Sequence, residues 1–323
     1  MAITGSGTQA DPWLVHSYEE LRTVTTDRTY LPNYGKAWAA LDADIDCNDY
    51  GDSFEWETIK LGVDGSAYAA YGAMAFDLNE HTIKNIALKK DNVLFDAHFS
   101  ASNSGIAEFL GNGKILNVFT SNNSSSNLII GRNGDNKISD LSMSVHLGNN
   151  AKSVFKDIAI ERCSVYAETI ETSTQAEDSV ILSWTNSAVS GRTMIKNCDI
   201  YVNVNNMHTN LAYATNSLVV ADSRFRGKIS NAENASFIGW MIYGVVANSV
   251  IDIDASGMLS STNMKFVNDA YQTGGSSGVI NDSLKPPNTS VWATDLTACT
   301  SEEIVNGQAL RDKGFYVINV SGG

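Results

Sequence analysis

A short motif recurs through the middle of the chain, and it constrains the possible folds more than any other feature of the sequence. Each copy has Asn or Asp, then a small or apolar residue, a variable residue and an apolar residue. Copies begin at Asn85, Asp140, Asn197, Asp222 and Asn248, and the last two steps are nearly equal in length. A short unit with one apolar face must stack on its neighbours to bury that face. The repeat therefore predicts a solenoid of stacked coils.

The residues around each copy alternate as strand residues do. Ile195, Cys198 and Ile200 are predicted to point inward, whereas Lys196 and Asp199 are predicted to point outward. Asn or Asp at the start of the motif suits a corner, because these residues tolerate left-handed backbone and bond nearby backbone groups. The prediction is an all-β fold, a parallel β-helix. An antiparallel β-sandwich also has short alternating strands at regular spacing, so it stays open as the alternative.

The earlier steps of the repeat are irregular. If Asn117 begins a copy, the step to it from Asn85 is longer than the later steps, and the step from it to Asp140 is shorter. Unequal steps predict loops inserted between the strands, such as the polar run at residues 121–126.

Both ends of the chain carry helix signals. Ser17 and Glu20 form a capping box after the apolar segment 11–15, and they predict a helix over residues 18–25. A second box at 300–303 predicts another helix, followed by a final strand at 315–318. Pro286 and Pro287 mark the break before this tail. The chain thus divides into an N-terminal cap (1–40), a β-helix (41–285) and a C-terminal tail (286–323), with short capping helices at both ends.

Composition excludes several classes of function. The formal net charge is −14, and no cluster of Lys and Arg is present, so nucleic-acid binding is not expected. The four cysteines are far apart and have no CxxC pair, which predicts buried free thiols. The N-terminus has no basic region followed by an apolar run, and no segment has the roughly 20 apolar residues of a membrane span. A soluble protein made in a cytoplasm, without a signal peptide, is the expectation.

The chemistry-bearing residues do not form a recognisable catalytic pattern. The five histidines are scattered, and no HExxH motif occurs. Residues 274–278 match GxSxG, but this glycine- and serine-rich segment is interpreted as a flexible loop and not as a nucleophile elbow. Glycoside hydrolysis needs two carboxyl groups about 5–5.5 or 6.5–9.5 Å apart. Asp199 and Asp222 lie in neighbouring coils but at different repeat positions, and no other acidic pair is marked. No catalytic residue and no cofactor is therefore predicted.

A cluster of acidic residues invites a calcium hypothesis. Asp42, Asp44 and Asp46 would share one face of a strand, and carboxylate oxygens are the ligands that hard cations prefer. No Gly and Glu complete an EF-hand pattern here, so a structural strand is the favoured interpretation. The three aspartates remain weak metal candidates.

Aromatic residues are concentrated in the later coils. Exposed aromatic rings stack on sugars or anchor protein partners. An outward stripe would make a binding surface, and packing inside the solenoid or under loops is the alternative. The six candidates are Trp184, Tyr201, Tyr213, Trp240, Tyr243 and Tyr271.

Several segments resemble the right-handed parallel β-helix proteins of bacteriophage virions, the superfold of tailspikes and pectate lyases. Residues 5–8, 11–15 and 18–21 are similar to the opening of such proteins. Residues 41–48, with Trp56 and Ile59 downstream, resemble their L-x-x-D-I-D strand, and residues 76–86 resemble the F-D-x-N-G-x-T-I-x-N coil. Glu80 stands where that coil usually has glycine. The tail at 298–318 resembles closing segments of phage virion proteins.

The resemblance implies a function as well as a fold. It implies a non-enzymatic structural protein of the virion, exposed as a capsid decoration or as a tail or baseplate adhesion component. Its partners would be other virion proteins and a host surface glycan, and a homo-oligomer is expected. The β-helix hosts enzymes and passive adhesins alike. A tailspike-type polysaccharide lyase or hydrolase is therefore one alternative, and a bacterial surface adhesin is another.

Overall fold

The computed structural model of the 323-residue chain describes most residues up to 270 and one short strand beyond. The described residues are 3–31, 35–61, 72–97, 100–101, 105–120, 127–131, 136–148, 153–169, 179–183, 193–205, 208–213, 217–231, 234–241, 243–247, 249–257, 264–270 and 292–293. The C-terminal tail predicted to carry a helix and a final strand lies outside them, except for residues 292–293.

Strands dominate the described residues, and the helical elements are α1, Tyr18–Thr26, and a 3-10 turn at Cys47–Tyr50. The strands in chain order are β1 Trp13–Val15, β2 Lys36–Leu41, β3 Ile45–Asp46, β4 Ile59–Lys60, β5 Ala73–Asp77, β6 Thr82–Ala87, β7 Phe95–Asp96, β8 Ser100–Ala101, β9 Gly105–Ile106, β10 Glu108–Phe119, β11 Ile129–Ile130, β12 Lys137–Leu147, β13 Phe155–Lys156, β14 Ala159–Glu161, β15 Ser164–Thr169, β16 Ser179–Ser183, β17 Thr193–Lys196, β18 Asp199–Asn205, β19 His208–Tyr213, β20 Ser217–Ala221, β21 Arg224–Ser230, β22 Asn234–Met241, β23 Tyr243–Ala247, β24 Val250–Gly257, β25 Met264–Ala270 and β26 Trp292–Ala293.

The strands stack in three columns, and each turn of the chain adds one strand to each column. The first column runs β2, β5, β10, β12, β14, β17, β20, β23, and the third runs from β4 through β7 and β11 to β25 and β26. The second column runs β3, β6, β10, β12, β15, β18, β21, β24, because the long strands β10 and β12 continue from the first column into the second. Every pairing described within these columns is parallel, so the antiparallel β-sandwich is wrong. The arrangement is compatible with an all-β solenoid.

The corner between the first and second columns has left-handed backbone in successive coils. The residues at the corner have φ between +51° and +56°, and they are Asn112, Asp140, Arg162, Asn197 and Asp222. The predicted corner role is thus confirmed for Asp140, Asn197 and Asp222, while Asn248 lies outside the described residues. Arg162 was missed, because arginine rarely adopts this conformation. A bidentate pair with Asp140, at 2.8 and 2.7 Å, holds its guanidinium.

The sequence motif also predicts this corner at Asn85 and Asn117, and that prediction is wrong. Both lie further along the second column, where Leu116 pairs with Lys84 and Val118 with Ile86. Their φ values are +58° and +55°, and the Asn117 side-chain amide donates to Asn85 Oδ1 at 3.0 Å. They form a separate bulge ladder. The sequence alone does not distinguish the two ladders, because both require residues that tolerate left-handed backbone.

Apolar side chains fill the space between the columns. Ile195, Cys198 and Ile200 are at most 3% exposed, which confirms their predicted inward orientation. Cys47 and Cys163 are also buried, and these three thiols are free, whereas Cys299 lies outside the described residues. Burial raises the pKa of the Cys47 thiol to about 12. These cysteines therefore act as small apolar core residues.

The N-terminal cap covers the first coil. Ser17 accepts a hydrogen bond from the Glu20 backbone amide at 3.2 Å, which confirms the N-cap and the predicted helix. The Glu20 carboxylate accepts from the His16 amide at 2.7 Å, so the second bond of the predicted capping box is shifted by one residue. Tyr18, Leu21 and Val24 of α1 are buried against the end of the solenoid. Strand β1 pairs with β2, and β2 crosses the boundary that the sequence placed after residue 40. Water is thus kept from the open end of the first coil.

Glu80 occupies a left-handed position that suits glycine. Its φ is +67°, and its amide donates to the Asn112 carbonyl at 2.6 Å, so the turn keeps the geometry despite the glutamate. We expect Glu80→Gly to raise the free energy of unfolding by about 1 kcal/mol, because a side chain is disfavoured at this φ. Urea unfolding followed by circular dichroism measures the change. Glu80→Ala keeps the backbone penalty, so an equal gain in that variant would contradict the explanation.

Candidate functional site

Three rows of outward side chains run along the second column from β12 to β21. In each row, residues of neighbouring coils are paired in register, so their side chains stand one above another. The first outward row contains Ser142, Ser164, Asp199 and Arg224. The second contains Ser144, Tyr166, Tyr201 and Arg226, and the third contains His146, Glu168, Asn203 and Lys228.

A groove of about 390 Å³ opens between the first two rows. Three of its lining residues are serines, Ser142, Ser144 and Ser164, and we refer to them as its floor. Leu116 of the preceding coil, and the set Tyr166, Tyr201, Asp199 and Arg226, also line it, and we refer to them as its two walls. Small hydroxyl residues beside large aromatic ones leave a slot between the rows.

The slot lies beside a stacked pair of tyrosines. The rings of Tyr166 and Tyr201 are nearly parallel, at an interplanar angle of 4°, with their centroids 5.2 Å apart. The next position of the same row is Ser144, which pairs with Tyr166. A serine therefore stands where a third ring would continue the stack, and one face of Tyr166, which is 36% exposed, is left without an aromatic neighbour in its row. A ligand ring can complete this stack.

An arginine–aspartate pair closes the far end of the groove. Arg226 Nε donates to Asp199 Oδ1 at 3.1 Å, and Arg226 Nη2 donates to Asp199 Oδ2 at 2.7 Å. The pair joins the first and second outward rows across two coils. Fork-to-fork bonding fixes both side chains in one plane. The pair therefore presents its remaining N–H donors and carboxylate lone pairs in a set orientation.

A hydrogen-bonded chain fixes the Tyr166 ring. The Tyr166 hydroxyl donates to Glu168 Oε2 at 2.6 Å, and His146 Nδ1 lies 2.5 Å from Glu168 Oε1. His146 in turn stacks on Phe119, with centroids 4.3 Å apart. The hydrogen bond to Glu168 raises the pKa of the Tyr166 hydroxyl to about 12. This bond, together with the bond to His146, lowers the pKa of the Glu168 carboxyl group. Glu168 thus stays ionised and acts as a positioning residue for Tyr166.

The depressed pKa of Glu168 makes stability depend on acidity. The Glu168 carboxylate contributes its full stabilisation at pH values above its ordinary pKa of 4.5. The contribution is lost as pH falls through the lower pKa of the folded state. We expect the wild-type chain and Glu168→Gln to show their largest stability difference near neutral pH, below about 1 kcal/mol because the pair is partly exposed. The two should converge near pH 3. Urea midpoints at pH 7, 5 and 3 measure this, and a constant difference across the series would contradict it.

The wall at Leu116 results from the bulge at Asn117. The register between β10 and β12 shifts between Ile115 and Val118, and the Asn117 amide donates to Ser144 Oγ at 2.8 Å. A bulge re-aims the side chains around it. Leu116 is half-buried at the groove, and Phe119 is 45% exposed beside His146. The groove thus begins where the coils change their register.

The predicted aromatic stripe is described only in part. Tyr201 lies in the groove wall. Tyr213, Trp240 and Tyr243 lie in β19, β22 and β23, which are not second-column strands, and Trp184 and Tyr271 lie outside the described residues. Sequence reasoning missed Tyr166 and Arg226 as partners of Tyr201. All three share one repeat position, but the coil that contains Tyr166 begins at Arg162, which lacks the Asn or Asp that marks the other corners.

The three aspartates proposed as weak metal candidates have separate partners. Asp42 bonds His16 at 3.0 Å, Asp44 accepts from the Thr82 amide at 2.8 Å, and Asp46 accepts from the Asn85 amide group at 2.8 Å. Asp42 and Asp44 lie between β2 and β3, and of the three only Asp46 is in a strand, so the prediction of one shared strand face is wrong. Each carboxylate instead links its own segment to a neighbouring one. Across the described ranges, no group of three or more His, Cys, Asp or Glu could hold a metal ion. Within the same ranges, no helix has the length and apolar character needed to cross a membrane.

Comparisons with known proteins give distant structural matches. No protein-family model and no curated protein matches the chain. A structure provisionally assigned as an immunoglobulin A1 protease of Bacteroides ovatus matches 85% of this chain and 84% of its own, at 16% identity and a TM-score of 0.38.

Two structures of PfbA, a surface adhesin of Streptococcus pneumoniae, also match. The first is 12% identical over 83% of this chain and 77% of its own, with a TM-score of 0.27. The second is 13% identical over 83% and 84%, with a TM-score of 0.26. At these values, the likeness supports no argument about the fold or the function of this chain.

Proposed function

We propose that this chain is a non-enzymatic binding protein that displays the groove along its second column to a surface glycan. The observation that carries the proposal is the slot above Ser144, next to the stacked rings of Tyr166 and Tyr201. A sugar ring has an apolar face that stacks on an aromatic ring, and its hydroxyls suit the serines of the floor. A volume of about 390 Å³ has room for a small sugar segment.

The charged groups of the groove favour binding over hydrolysis. A glycoside hydrolase needs a protonated carboxyl group as general acid, with a pKa raised by its surroundings. Glu168 has its pKa lowered, and Asp199 is held by a bidentate arginine. The Glu168 carboxylate is thus stabilised in the ionised form, and the Asp199 carboxylate is engaged by two guanidinium bonds.

Glycan binding by the purified full chain tests the proposal. A glycan array identifies a ligand, and calorimetry then gives the Kd for the wild type and for Tyr166→Ala. We expect Tyr166→Ala to weaken binding at least about 10-fold, because it removes the ring that the sugar covers. Tyr166→Phe keeps the ring and should stay within about 3-fold. Trp38→Ala, which lies in β2 of the first column and outside the groove lining, is the matched control.

Two results would overturn the proposal. One is the absence of glycan binding, or binding that is equal in the wild type and in a folded Tyr166→Ala. The other is the appearance of new reducing ends or unsaturated products from the bound glycan, abolished by Asp199→Asn or Glu168→Gln. The second result would favour the tailspike-type depolymerase instead.

A bacteriophage virion is the proposed location. Support comes from the segments at residues 5–21, 41–48 and 76–86, which resemble phage β-helix proteins. We also propose right-handed coils, since about 98% of parallel strand crossovers have that hand, and a homo-oligomer as in the resembled class. Immunogold labelling of phage particles with an antibody against the chain tests the location, and light scattering tests the oligomer. Unlabelled particles would favour the surface-adhesin alternative.

A further inference from the structure

We infer that the groove selects uncharged sugar rings and rejects acidic ones, with the Asp199–Arg226 pair as its specificity-determining element. The inference rests on the proposed function and specifies the ligand class of the same groove. The inference follows from three features of the groove: the charged groups that line it, the bonds between those groups, and the charged groups in its surroundings.

The cationic group that lines the groove is already neutralised. Arg226 donates two hydrogen bonds to Asp199, and the side chains of both residues are a little under half exposed, at 42% and 45%. A carboxylated sugar that approached the guanidinium would have to displace Asp199 or lie beside its negative charge. Repulsion between like charges, together with the loss of two charge-assisted bonds, opposes both arrangements.

Neighbouring groups add negative charge close to the tyrosine wall. Glu168 is bonded to the Tyr166 hydroxyl and is held ionised. The chain as a whole carries a formal charge of −14, which repels anionic ligands at long range. Arg224 precedes Arg226 by two residues in β21 and belongs to the first outward row, but it does not line the groove.

A neutral sugar meets complementary groups at the same pair. The guanidinium keeps N–H donors that do not point at Asp199, and the carboxylate keeps acceptor lone pairs. Adjacent hydroxyl groups of a pyranose both donate and accept, so one diol can bond both members of the pair. The serine hydroxyls of the floor are uncharged and have the same double capacity. The aromatic slot and the polar end thus match one ring with an apolar face and a diol edge.

Two variants separate the contributions of the pair. Asp199→Asn removes the negative charge and leaves the Arg226 guanidinium without an ionic partner, so it should increase affinity for an acidic sugar at least about 10-fold. Arg226→Gln removes the donors and should weaken neutral-sugar binding at least 5-fold. Lys228→Gln, on the same face of the same strand but in the third row and outside the groove lining, is the matched control and should change each Kd by less than about 2-fold.

The experiment uses calorimetry with a neutral hexose oligosaccharide and a hexuronic-acid oligosaccharide of equal length. For the wild type we expect at least 10-fold preference for the neutral ligand at low salt. Equal or tighter binding of the acidic ligand, or no gain for the acidic ligand in a folded Asp199→Asn, would overturn the inference while leaving glycan binding intact. If neither oligosaccharide binds the chain and no glycan on the array binds it, the proposed function itself is overturned.

Discussion

Phe95→Ala is expected to lower the free energy of unfolding by about 3–5 kcal/mol, because it empties the centre of an aromatic cluster in the core. Phe95 is 1% exposed. Its ring stacks on Phe109 with centroids 4.4 Å apart, and it contacts Phe76 at 5.4 Å and Trp56 at 6.0 Å. These residues come from different strands and turns of neighbouring coils, so no single segment can move in to fill the cavity.

Urea unfolding measures this effect, and an exposed phenylalanine provides the comparison. Phe119 is 45% exposed, so Phe119→Ala should change stability by about 1 kcal/mol or less. Coils of a solenoid interact mainly with their neighbours, and the loss at Phe95 should therefore appear first in the N-terminal coils. Hydrogen exchange resolves that region. A Phe95→Ala variant as stable as Phe119→Ala would mean that the aromatic cluster does not hold these coils together.

The sequence predicts the coils well where they are regular. The corners at Asn197 and Asp222 are separated by one regular step, and the inward residues Ile195, Cys198 and Ile200 follow from simple alternation. Alternation reports which side of a strand is buried, because the side-chain period of a strand is two. Local rules were therefore sufficient for the direction of these side chains.

Prediction from sequence fails where two local rules give the same signal. Asn85 resembles a corner residue because a bulge and a corner both require left-handed backbone. Arg162 does not resemble one, and its conformation depends on a partner, Asp140, in the preceding coil. The register between coils decides such cases. Register is a property of the stacked structure, and it is only weakly marked in one chain's sequence.

The groove depends on register even more strongly. Tyr166, Tyr201 and Arg226 are separated by unequal lengths of chain, yet they occupy one row. Unequal inserted segments between the coils hide this relation from any fixed repeat length. Once the corners at Arg162, Asn197 and Asp222 are aligned, the row can be read from the sequence. The corner at Arg162 thus places Tyr166 in the same row as Tyr201 and Arg226.

Gly227→Ala is expected to destabilise the later coils by about 3 kcal/mol or more, through strain and overpacking together. Gly227 has φ of +128°, and a Cβ placed there would lie 1.8 Å from the Val202 carbonyl oxygen. Gly227 pairs with Val202 on one side and with Ile253 on the other. The close backbone approach leaves no space for a methyl group, so β21 would have to move away from β18.

A second glycine separates strain from steric overlap. Gly51 has φ of +92° and ψ of 162°, and a Cβ added there would meet no atom within 4 Å, so Gly51→Ala carries only the backbone penalty of about 1–3 kcal/mol. Urea midpoints of the two variants measure the difference. Equal losses would show that the Val202 contact is unimportant.

Gly227→Ala should also change ligand binding, because Gly227 follows Arg226 in the same strand. A shift of β21 away from β18 would lengthen the bonds from Arg226 to Asp199, which now measure 3.1 and 2.7 Å. The aromatic slot between Ser144 and Tyr166 is two coils away and should remain. We therefore expect weaker binding of neutral sugars with the tyrosine contact retained, as in Arg226→Gln. A folded Gly227→Ala with unchanged affinity would show that groove binding does not require the close packing of these two strands.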